Sequence, residues 1–83
     1  MSDLNQRFMD AATASKSLSS RPDNMTMMKL YGLFKQGSIG DVSGEAEGDM
    51  VSKFKHKAWS ELKGVSKEDA MQRYIDLVAS LAD

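Results

Sequence analysis

The apolar residues of this 83-residue chain recur at intervals of three and four, and no stretch sustains a period-two alternation. Such spacing lays one apolar stripe along a helix and gives a strand no face to bury. Four segments carry it. Over residues 3–16 the stripe is Leu4, Phe8, Ala11, Ala12 and Ser15, and "SLSSRPDN", with three serines and the only proline, then breaks the pattern. Asp23 or Asn24 is expected to cap a second helix that continues to about residue 36, where Gly37 and Gly40 stop it. The glycine-rich "GSIGDVSGEAEGD" separates it from a third helix over residues 49–63, ended by Gly64. The fourth has the clearest start. Ser66 and Asp69 approximate a capping box, Val65 and Ala70 take the staple positions, and Ala70, Tyr74, Leu77, Val78 and Leu81 form its stripe. With no internal repeat, residues 1–83 read as a single all-α domain of four helices.

Composition narrows what such a domain can do. The absence of cysteine removes disulfides and zinc–thiolate sites, and a single histidine removes most metal constellations. A net charge of −1 and the lack of a positive helix face argue against nucleic acid as a partner. No apolar run reaches membrane-spanning length, and "MSDLNQRFMD" lacks the basic-then-apolar order of a secretory signal, so a cytoplasmic protein is expected. Catalysis is not expected: no nucleophile is activated, and His56 has no orienting partner. His56 reads as a solvent-facing helix residue, with contact to a ligand as the alternative.

Two lysines fall on the wrong side of their helices. On the second helix the apolar arc is Leu30, Phe34, Met27, Tyr31 and Met28, and Lys35 lies inside it, between Tyr31 and Met28. On the third the arc is Phe54, Ala58, Val51, Leu62 and Trp59, and Lys55 lies between Leu62 and Trp59. Lys29, Lys53 and Lys63 fall outside. Snorkelling along apolar surface explains one such lysine well. Two of them, with Tyr31 beside one and Tyr74 in the middle of the fourth stripe, favour an anion site with apolar walls. A phosphate suits it, and a ligand with both a phosphate and a long apolar part suits it best. Met25, Met27 and Met28 are either ordinary core or an adaptable binding wall.

These residues belong to a pattern that resembles the acyl-CoA-binding protein family over nearly the whole chain. The matching pieces are Phe8 with Ala11 and Ala12, Pro22, "YGLFKQ", Gly40 and Asp41, "AWSELKG" and "SKEDAMQRYI". The resemblance implies an up-down-down-up bundle that binds and carries medium- to long-chain acyl-CoA esters without chemistry. Acyl-CoA is then a carried ligand rather than a cofactor, and acyl-CoA-using enzymes are the expected protein partners of a monomer. It implies that Tyr31, Lys35, Lys55 and Tyr74 meet the nucleotide phosphates, with Lys16 at the end of helix one; Met27 and Met28 are expected to line the remaining contacts. The chain departs from the family in a shorter loop before helix three, in His56 where a tryptophan is usual, and in Phe34, which lacks a hydroxyl. Chain-length preference is the property those departures bear on. The alternative is a helical protein-interaction module with a methionine-rich groove.

Overall fold

The computed structural model describes residues 3–44 and 48–82; Glu45, Ala46 and Glu47 of the glycine-rich loop lie outside the described residues. Among the described residues four helices form: α1 Asp3–Ser15, α2 Asn24–Ser38, α3 Met50–Ser60 and α4 Lys67–Leu81. Three starts are made by side chains that accept an otherwise orphaned amide. Asp23, not Asn24, caps α2 by accepting from Thr26 N–H at 2.8 Å. Asp49 accepts from Ser52 N–H at 3.0 Å, and Ser66 Oγ from Asp69 N–H at 3.0 Å.

Two helix ends differ from the sequence reading. Gly37 does not stop α2 but lies buried inside it, where a Cβ would come within 3.1 Å of both Phe8 and Met71. It is a packing glycine. The stop comes three residues later at Gly40, whose φ of +107° only glycine adopts freely, with the Ile39 and Gly40 amides both reaching Lys35 O. Likewise α3 ends at Ser60 rather than near residue 63. The next amides, of Leu62 and Lys63, bond three residues back, so the chain tightens into a turn through Gly64.

Contacts fix the helix directions. Asn5 and Phe8 of α1 lie beside Gly37 and Ser38 at the end of α2, and Ser15 and Lys16 beside Asn24 and Met25 at its start, so these two run antiparallel. Lys55 reaches Tyr31, Ala58 meets Gly32 and Gly64 bonds Asp41, so contacts advance together along both segments and α2 and α3 run parallel. Gln36 bonds Val65 just before α4, which therefore runs against α2. The result is up-down-down-up. In space α1 packs on α4, α4 on α2 and α2 on α3, giving a slab with Cα extents of 33 × 31 × 14 Å.

The buried core is Phe8, Ala11, Leu30, Leu33, Ala70, Tyr74 and Val78, with Phe8, Phe34 and Tyr74 as an aromatic trio at its centre. The stripes expected for α1 and α4 are the ones that pack. On α2 the expected arc is only partly inward. Leu30 and Phe34 face the core, but Leu33, Gly32, Gln36 and Gly37, all outside that arc, are buried as well. No residue of α3 is fully buried, and Val51 and Phe54 of its apolar arc are exposed. The physical reason is shared: α2 meets neighbours on two sides, whereas α3, at the edge of the slab, meets one.

Among the described residues Gln36 is the one fully buried polar side chain, at 0 % exposure. Its Nε2 donates to Asp41 Oδ1 at 2.9 Å and to Val65 O at 2.8 Å. Asp41 Oδ1 also accepts from Gly64 N–H at 2.9 Å. This network ties the end of α2 to the turn between α3 and α4. Trp59 Nε1 donates to Gly40 O at 2.8 Å and adds a second tie from α3.

Candidate functional site

Because α3 leaves its apolar side uncovered, a large groove opens between α1 and α3, with α2 and Tyr74 of α4 beneath it. Its volume is about 1460 Å³, above the roughly 300–1,000 Å³ usual for small-molecule pockets, so it has room for an extended ligand. The apolar part includes Met25, Met27, Val51 and Phe54, all exposed, and the half-buried Met28. Four cations, Lys16, Arg21, Lys55 and Lys57, share the lining with one carboxylate, Glu61. Exposed apolar surface beside clustered positive charge is the chemistry of a groove for an amphipathic anion.

The polar centre is built around Tyr31. The Lys55 ammonium lies 5.4 Å from its ring centroid and the Lys35 ammonium 5.7 Å, within cation–π range of the ring. Lys35 is also 5.8 Å from the Trp59 ring. Two ammonium groups from different helices are thus gathered around one phenol, whose hydroxyl is a directional donor. The α3 helix strengthens the positive field, since Met50–Ser60 contains Lys53, Lys55 and Lys57 and no acid.

The groove brings together Lys16, Met27, Met28, Tyr31, Lys55 and Tyr74. Lys35 is not part of that wall. It stands half-buried beside it, against Tyr31 and Trp59. Tyr74 is buried, and its hydroxyl donates to Ser15 Oγ at 3.2 Å, so the expected partner for this phenol is already supplied from α1. His56 is not the solvent-facing residue expected from the wheel. It is half-buried, with Nε2 3.3 Å from Gly44 O, which places it against the loop before α3.

Sequence reasoning missed Arg21, Lys57 and the role of Phe54 and Val51. Arg21 precedes Pro22 in an irregular segment, where periodicity carries no signal. Lys57 falls just outside the apolar arc of α3, and nothing in the sequence says that the groove extends past the arc. Phe54 and Val51 read only as members of the third helix's apolar arc, because an apolar stripe looks the same whether protein or ligand covers it.

Fold and groove together define a small all-α binding protein for an amphipathic, anionic ligand. The model of the family described as "Acyl CoA binding protein" matches residues 5–78. Acyl-CoA-binding protein homolog 1 of Caenorhabditis elegans is 45% identical over 76 residues, covering 89% of this chain and 88% of the relative. The acyl-CoA-binding protein of Dictyostelium discoideum is 42% identical over 77 residues, with 90% and 92% covered. The crystal structure of Oryza sativa acyl-CoA-binding protein 2 superposes with a TM-score of 0.88 at 35% identity, over 94% of this chain and 89% of that one. This chain belongs to the acyl-CoA-binding protein family.

Proposed function

We propose that this protein binds medium- to long-chain acyl-CoA thioesters without altering them, buffers their free concentration and releases them to acyl-CoA-using enzymes. The observation that carries the reading is the continuity of the groove: an apolar wall of Met27, Val51 and Phe54 adjoins the ammonium groups gathered at Tyr31. The acyl chain lies on the wall, where each methylene removed from water contributes about 0.8 kcal/mol. The nucleotide phosphates take charge-assisted bonds from Lys55 and Lys35, with Tyr31 donating its hydroxyl. Lys16 sits at the α1 side, within the groove lining. Tyr74 shapes the floor, and its hydroxyl reaches a phosphate by exchanging its bond to Ser15.

The ligand is cargo, and no step of bond making or breaking is assigned to any side chain. Residues 1–83 act as one binding domain, as a monomer, in the cytoplasm. No helix among the described residues is long and apolar enough to cross a membrane. Calorimetry with hexadecanoyl-CoA, free hexadecanoate and CoA tests the reading. Hexadecanoyl-CoA binds far more tightly than either half, because only the intact ester uses both parts of the groove. Equal affinity for the fatty acid and its CoA ester rejects it.

A further inference from the structure

Methionine is the only sulfur-containing residue in this chain, which has seven of them and no cysteine. Four of the seven, Met9, Met25, Met27 and Met28, line the groove. Methionines that merely fill a core are shielded, and three of these four are not: Met9, Met25 and Met27 are exposed, Met25 by 73%, while Met28 is half-buried. The remaining described methionines provide a contrast. Met50 is 69% exposed but is not part of the groove lining. Met71 is half-buried and packs against the core beside Gly37.

We propose that Met9, Met25 and Met27 form a peroxide-modifiable site in the groove, and that their oxidation to sulfoxides weakens the hold on an acyl chain. The proposal rests on the acyl-CoA reading above. In the step itself a thioether sulfur attacks one oxygen of hydrogen peroxide and the O–O bond breaks. The sulfur is oxidised to the sulfoxide and the peroxide is reduced to water, with no other reactant needed. A thiol-dependent reductase returns the thioether. Each conversion replaces a flexible, apolar contact with a polar S=O group. An acyl chain laid over it strips water from that oxygen and offers no donor in return. The phosphate end, built from lysines and tyrosine, is chemically untouched. The oxidised protein therefore loses selectivity for long chains before it loses affinity for CoA.

Peroxide treatment followed by peptide mass spectrometry tests the site, and calorimetry before and after tests the consequence. Without ligand, Met25 and Met50 oxidise at similar rates and Met71 lags. With saturating hexadecanoyl-CoA, Met9, Met25 and Met27 slow by about tenfold while Met50 does not, because ligand covers the groove alone. Oxidation weakens hexadecanoyl-CoA binding by about tenfold or more and leaves CoA binding within about twofold. Met50→Leu protein shows the same loss on oxidation as the parent. The triple variant Met9→Leu, Met25→Leu, Met27→Leu, compared with its own untreated affinity, loses less than about twofold. Circular dichroism after treatment keeps its helical signal, so that unfolding is not the cause of the loss. Unchanged hexadecanoyl-CoA affinity with all three groove methionines converted overturns the proposal, as does ligand protection of Met50 equal to that of Met25. An untreated parent that fails to bind hexadecanoyl-CoA overturns the acyl-CoA reading itself, and the proposal with it.

Discussion

Lys35 and Lys55 occupy apolar arcs in the sequence, and in the structure both ammonium groups come within 6 Å of the Tyr31 ring. Their surroundings are nonetheless unequal. Lys35 is half-buried against Tyr31 and Trp59, while Lys55 is exposed on the groove wall. Both ammonium groups face the Tyr31 ring, and Lys55 also lies within electrostatic reach of the Asp49 carboxyl. Replacing either with methionine keeps the stem's packing and removes only the charge. A hydrogen bond to a charged group is worth roughly 1.5–3 kcal/mol, so Lys35→Met and Lys55→Met should each weaken acyl-CoA binding by about tenfold to a hundredfold. The melting temperature of the empty protein should hold, since relief of like-charge repulsion near Tyr31 offsets the lost cation–π contact. Lys29→Met and Lys63→Met, on exposed polar faces, serve as controls. Titration at two salt concentrations should show a shallower dependence for the Lys35 and Lys55 variants only. If all four variants bind like the parent, the inward lysines are only covering apolar surface and the phosphate site is misplaced.

The helices were largely legible because each has a stripe and three have side-chain caps, and Ser66 with Asp69 could be read directly from the sequence. What the sequence hid is how close two helices come. Gly32 stands in "YGLFKQ" as an unremarked small residue, yet a Cβ there would sit 2.7 Å from Ala58 O and 2.9 Å from Ala58 C. Backbone cannot move aside as a side-chain tip can, so Gly32→Ala must drive α3 away from α2. Overpacking costs about 1–3 kcal/mol, and the better helix propensity of alanine returns less than about 1 kcal/mol. We expect a net loss of about 1 kcal/mol in urea denaturation, with weaker acyl-CoA binding because Tyr31 and Lys55 stand on the two separated helices. Gly37→Ala should cost less, since two of its three nearest neighbours, at 3.1 Å, are side-chain atoms of Met71 and Phe8. A Gly32→Ala protein as stable as the parent would mean that α2 and α3 slide freely over one another. Gln36 was concealed in the same way. A wheel scores glutamine as polar and turns it outward, but here its amide is the donor that satisfies Asp41 and Val65. Periodicity detects one apolar face per helix, and α2 has two packed faces.

At the scale of the molecule, α3 is the least anchored part of the slab. It packs chiefly on α2, and its C-terminal side is held by polar bonds, Trp59 to Gly40 and Gly64 to Asp41, beside Leu62 and Val65, which reach the core. This arrangement leaves the groove open for cargo and makes its geometry depend on Asp41. The Gly64 amide, and then the Gln36 side chain, hold the Asp41 carboxyl below its ordinary value of 3.8. Thr26 does the same for Asp23 at the start of α2, and Ser52 for Asp49 at the start of α3. A carboxyl depressed in the folded state binds fewer protons there than in the unfolded chain. Its stabilising contribution is complete above the ordinary carboxylate range and is lost as pH falls through 3.8 and on through the depressed folded values. Thermal stability should therefore be level near neutrality and fall progressively below about pH 5. Asp41→Asn separates this carboxyl from the two helix caps. The amide oxygen still accepts a bond, but without charge assistance, so the variant should be less stable than the parent at pH 7. As acid protonates Asp41 in the parent, that advantage disappears, and the two melting curves should converge at low pH. The remaining acid sensitivity of the variant then belongs to the other depressed carboxyls, Asp23 and Asp49 among them. Parallel pH profiles that never converge would show that the Asp41 charge does not hold the turn between α3 and α4 in place.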